Sequence, residues 1–276
     1  MESLKACTRL RKLDLRGCSF PIDEDDEWED EFAGVDSLVA DLQLTCTQLQ
    51  ASGTSSSSPP SVALQGLVHE LQPSLPPNVQ CSAANSLGNL AAHHYVHSQA
   101  FIAAAGAIPA LAQLLGPESS TGARQAAVRA LGNLADGHVQ NKAAITAADA
   151  IPHVVLLLGP GQSAHVHKAA ADLLNHLALD HAQNKAAITA AGAIPAFVQL
   201  LGSEPAADLQ KAAAGALGNL AFNHAQNTTA ITDAGAIPAL WQMMGPKSSA
   251  DVQQVATTAL RDLGFFYSGP RHWPTI

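Results

Sequence analysis

Twelve histidines in 276 residues are the first candidates for chemistry, because imidazole ligates metals and moves protons near neutral pH. Three of them recur at one step of 43 residues, His138 in HVQN and His181 and His224 in HAQN. Elements repeated in a stack lie ~10 Å apart, too far for two ligands on one zinc. These histidines therefore read as turn residues ahead of the next helix cap. His165 with His167, and His93 with His97, lie closer in sequence, but no Asp or Cys partner accompanies them. The four cysteines (Cys7, Cys18, Cys46, Cys81) form no CxxC pair and no zinc-type spacing. Phosphate-binding, nucleophile-elbow and HExxH motifs are absent. No metal, no cofactor and no small-molecule substrate is expected, and the chain reads as a non-enzyme.

Composition narrows the partner. Of the 23 acids and 14 bases, the first 60 residues hold 12 and 5. The remaining chain is close to neutral, with no basic stripe to neutralise phosphates, so nucleic acid is not the expected ligand. No apolar run approaches the ~20 residues that cross a bilayer, which predicts a soluble chain without a transmembrane segment. Scattered thiols without a pairing pattern fit a cytoplasmic compartment, with the nucleus also open. Hydrophobic residues make up 47% and aromatics only 4%. Such an Ala- and Leu-rich diet suits closely packed helices better than strands.

The elements that position any site come from internal repetition. GAIP begins at Gly106, returns as DAIP at Asp149, and again as GAIP at Gly192 and Gly235, always 43 residues on. A second marker, LGNL, begins at Leu87, Leu131, Leu174 (as LNHL), Leu217 and Leu260 (as LRDL). One unit runs from Gln183 to Ala225. Asn184 is placed as the N-cap of a short helix, with Asn141, Asn227 and Ser98 as its equivalents. Gly192 stops that helix, and Pro195 sits in the first turn of a second, which carries Ile194, Phe197, Leu200 and Leu201 on one face. A third helix over about 206–223 spaces Leu209, Ala213, Leu217 and Leu220 as one apolar stripe.

A short, medium and long helix joined by a Gly-Pro elbow resembles the armadillo family, especially plant-type and vacuolar members with the signature GAIPxLVxLL. Here it reads GAIPALAQLL, DAIPHVVLLL, GAIPAFVQLL and GAIPALWQMM. The resemblance implies an all-α, right-handed superhelical solenoid of ~43-residue units that binds a protein or an extended peptide. In that family the third helices form a concave wall, and the Asn of ALxNL meets the main chain of the ligand. The matching positions are Asn89, Asn133, His176, Asn219 and Asp262. An amide offers both donor and acceptor to any backbone. Four residues earlier, where the importin-alpha branch carries a Trp array, stand Asn85, Arg129, Asp172, Gly215 and Thr258, so reading of basic localisation signals is disfavoured. Asn85, Arg129 and Asp172 complete the expected groove set. Substrate recognition for a ubiquitin ligase, through a separate subunit, is the other alternative to a scaffold or adaptor.

The solenoid is placed at 61–266, with one partial and four full units. Leu64, Leu67 and Leu71 fall in the partial unit's second helix and residues 77–92 in its third. Ahead of it lie a leucine-rich-repeat-like fragment (1–22), an acidic linker (23–32), an amphipathic helix (33–50) and a Ser/Pro linker (51–60). The amphipathic helix is a candidate cap for the open end. Residues 267–276 form a tail, and Phe265, aligned with Phe222, is placed in the core.

Overall fold

The computed structural model describes residues 62–92, 98–202 and 207–265. The segments proposed for 1–60 and for the tail lie outside them. Among the described residues there are 14 helices and no strand. A helix pair comes first, α1 (Val62–Glu70) and α2 (Pro77–Ala92). Four trios follow. They are α3 (Ser98–Ala104), α4 (Ala107–Gln113) and α5 (Thr121–Ala135); α6 (Val139–Ala147), α7 (Ala150–Leu156) and α8 (Ala164–Ala178); α9 (Ala182–Ala190), α10 (Ala193–Gly202) and α11 (Ala207–Ala221); and α12 (Ala225–Asp233), α13 (Ala236–Met243) and α14 (Ala250–Asp262). No single described helix is long and apolar enough to cross a membrane.

Local chemistry sets the breaks. The first and second helices of each trio meet at a residue in the left-handed region: Gly106, Asp149, Gly192 and Gly235, with φ of 86°, 54°, 84° and 81°. Glycine adopts that conformation without a Cβ clash, and Asp tolerates it better than most. Three of the third helices, α5, α8 and α14, open on serine caps. Ser120, Ser163 and Ser249 accept from the N–H of Ala123, Val166 and Val252 at 3.2, 3.3 and 3.4 Å.

The caps of the first helices differ from the sequence expectation. His138, His181 and His224 are themselves the N-caps, each accepting through Nδ1 from the backbone N–H of Asn141, Asn184 or Asn227 at 3.3 Å. The three asparagines lie inside the helices and are buried. Their amides donate backwards to Leu134, Leu177 and Leu220 carbonyls at 2.8, 3.1 and 3.0 Å. Thr146 and Thr189 donate to the amide oxygens of Asn184 and Asn227 at 2.8 and 3.0 Å. A buried amide wants all its valences met. Stitching two units together meets more of them than a cap would.

One continuous apolar core runs through the stack, from Leu64, Leu67 and Leu71 in the first pair to Leu260 and Leu263 in the last trio. Successive third helices α2, α5, α8, α11 and α14 make its most extensive contacts. Their approach is close: a Cβ on Gly88 would meet Ala130 Cα at 3.2 Å, and one on Gly218 would meet Ala259 Cα at 3.2 Å. Phe197 fills the interior of its unit, whereas Phe222 and Phe265 are 45% and 41% exposed and not in the core. Both follow the end of a third helix, where Leu217, Leu220, Leu260 and Leu263 already occupy the interior.

Candidate peptide-binding face

Asn89, Asn133, His176, Asn219 and Asp262 fall at one register of α2, α5, α8, α11 and α14, and all are half-buried. One helical turn earlier, Asn85, Arg129 and Asp172 are half-buried too. A shared register on parallel stacked helices places these side chains along one face.

Two amides of the column, and one pair a turn earlier, also hold neighbouring helices together. Asn133 donates through Nδ2 to the Gly88 carbonyl at 2.9 Å. Asn219 donates to Asn175 Oδ1 at 2.7 Å. Arg129 donates to Asn85 Oδ1 at 2.8 Å, whereas Lys168 donates to Asp172 at 2.7 Å within α8 itself. His176 Nδ1 lies 3.6 Å from an Asp136 carboxylate oxygen. An amide carries two N–H groups and an oxygen with two lone pairs, so one bridging bond leaves it capacity for a ligand.

Between α11 and α14 the face opens into a cleft of ≈ 370 Å³ lined by Gly215, Gly218, Asn219, Asp251, Thr258 and Asp262. The missing side chain at Gly215 makes room there, whereas at Gly218 it lets α14 approach. Two carboxylates and several polar side chains are set in a lining that is otherwise small and apolar. No three His, Cys, Asp or Glu side chains converge anywhere among the described residues.

A second set of groups lies behind the face. Lys142 and Lys185 are 5% and 6% exposed. Their Nζ atoms donate to the carbonyls of Leu179 and Phe222, 37 residues on, at 3.0 and 2.6 Å. Gln99 does the same for Asp136 at 3.0 Å. The first helices of the first three trios thus clamp the ends of their own third helices. Burial pushes both ammonium groups below the ordinary lysine value, with Asp180 partly opposing it. Sequence reading passed over these lysines, although their recurrence in QNKAAIT at the repeat step was a usable signal.

Comparison with known proteins agrees with this architecture. The model of the armadillo/beta-catenin-like repeat matches residues 97–136, 181–222 and 224–264. A crystal structure of an engineered protein is similar at 30% identity and TM-score 0.68, over 74% of this chain and 80% of that one. A designed armadillo repeat protein in complex with the peptide (KR)4 is similar at 25% identity and TM-score 0.66, over 80% and 86%. Computationally designed armadillo repeat proteins for modular peptide recognition are similar at 26% and 0.67, over 79% and 86%. Comparison with curated proteins found no match. The chain is an all-α repeat solenoid and belongs to the armadillo repeat family.

Proposed function

We propose that the chain is a non-enzymatic protein-interaction scaffold, an adaptor that holds an extended segment of a partner along the third-helix face. Asn89, Asn133, His176, Asn219 and Asp262 meet the main chain of that segment, while Asn85, Arg129 and Asp172 face its side chains. The observation that carries this reading is the repetition of hydrogen-bonding side chains at one register, half-buried on a single face. An extended chain advances ~3.3 Å per residue, so three residues span one ~10 Å repeat step. The designed armadillo protein that holds (KR)4 adds support by analogy. A cytoplasmic site of action belongs to the same reading.

Replacing Asn133 and Asn219 together with Ala tests it. Partners recovered by pull-down from the full chain are titrated well below the melting temperature of both proteins. Loss of main-chain hydrogen bonds at two sites is expected to weaken binding tenfold or more. The bridges to Gly88 and Asn175 are lost as well, so melting falls by a few degrees. Affinity unchanged at low temperature, with only the melt lowered, assigns these amides to structure and removes the groove role.

A further inference from the structure

Leu179, Phe222 and Phe265 stand 43 residues apart, each three residues beyond His176, Asn219 or Asp262 of the column. They form the rim of the same face and are 45%, 45% and 41% exposed. Their backbone is held. The Leu179 and Phe222 carbonyls accept the Lys142 and Lys185 clamps, and the Phe265 N–H donates to the Leu260 carbonyl at 2.8 Å. The residues after the first two, Asp180 and Asn223, take a left-handed φ of 54°, which fixes the turn. Lys185 Nζ lies 5.5 Å from the Phe222 ring centroid, covering one side of the ring.

The charge beside this rim is negative. Asp136 and Asp180 are exposed and Asp262 is half-buried. Lys142 and Lys185 direct their charges inward to carbonyls, and Arg261 is the exposed cation nearby, 3.6 Å from Asp262. Farther towards the N-terminus the rim changes character, with Asp136 and Ala92 in place of an apolar residue.

We propose that the last three units bind a cationic polyproline-II segment of a partner protein, presenting an apolar side chain at every third residue. The inference rests on the groove reading and specifies its ligand. Charge complementarity selects Lys or Arg between the apolar anchors, and the repeat spacing selects the conformation. Polyproline II turns once in three residues and rises ~9 Å per turn, close to the ~10 Å separation of packed helices. A β-strand returns to the same side every ~6.7 Å and falls out of step.

Fluorescence polarisation with the full chain tests this, using labelled peptides of four Leu-Pro-Arg repeats. Controls are four Ser-Pro-Arg repeats, four Leu-Pro-Glu repeats and six Leu-Arg repeats. The first peptide is expected to bind and each control to bind at least tenfold more weakly. Leu179→Ser with Phe222→Ser, and separately Phe265→Ser, which touches no lysine clamp, are expected to weaken the first peptide at least tenfold and threefold. No binding, equal binding of the Ser-Pro-Arg or Leu-Arg peptide, or unaltered affinity in the rim variants overturns the proposal. Loss of affinity in the Asn133/Asn219 variant but not in the rim variants rejects the rim and keeps the groove; loss in neither rejects both. Self-association of the full chain in sedimentation, abolished by the rim variants, would assign the rim to a second copy and overturn the partner reading.

Discussion

His138, His181 and His224 each commit Nδ1 to a helix N-terminus, a bond that requires an unprotonated nitrogen there. The neighbouring asparagine is thereby released to join two units. His181→Ala should cost about 1 kcal/mol, the usual loss for a missing cap, whereas His181→Asn should retain most of it. Urea denaturation of the two variants separates a capping role from a packing one. The lysine clamps make a pH prediction. Burial lowers the Lys142 and Lys185 values below 10.5. Between the lowered value and 10.5 the unfolded chain binds protons that the folded chain has released, so stability rises with pH. Wild type should gain stability relative to Lys142→Met/Lys185→Met as pH rises towards 10.5. A relative loss over that range would mean that the ammonium–carbonyl bonds outweigh desolvation.

Third-helix packing depends on which glycines face a neighbour at contact distance. A Cβ at Gly218 would sit 3.2 Å from Ala259 Cα, a backbone atom that cannot rotate away. At Gly132 the nearest atom, Leu173 Cβ, is 3.9 Å off, an ordinary contact. Gly132→Ala should therefore stabilise by about 0.5–1 kcal/mol through reduced unfolded-state entropy. Gly218→Ala should destabilise by about 1–3 kcal/mol, as overpacking does. Thermal melts of the two variants should move in opposite directions. Identical shifts would mean that helix propensity, not approach, governs these sites.

At the scale of the whole stack, each unit completes its core and its polar bonds with the next. Asn184 needs the Leu177 carbonyl and the Thr146 hydroxyl of the preceding unit, and Asn227 needs the Leu220 carbonyl and the Thr189 hydroxyl. Stability is then a sum over units and their interfaces. Leu174, fully buried in α8, tests this from the middle. Leu174→Ala should cost about 2–5 kcal/mol. Amide exchange should quicken most in α5, α8 and α11 and least in α2 and α14. Uniform loss of protection would show all-or-none unfolding instead.

The repeat period, the three-helix unit and the register of the third-helix column were legible in the sequence. Their signals act over a few residues: a left-handed glycine at Gly192, a proline in the next first turn, Ala and Leu at helical spacing. The roles within HAQN were not, because Asn is among the preferred helix caps and His is not. Only the preceding unit, with the Leu177 carbonyl and Thr146 hydroxyl in reach, makes Asn184 worth burying and leaves His181 as cap. Lysine reads as a surface residue until a carbonyl 37 residues away receives it, as Phe222 does for Lys185. Phe222 and Phe265 read as core because they are apolar and aligned. Whether an apolar residue is inside depends on space already filled, and in the stacked structure the leucines before them fill it.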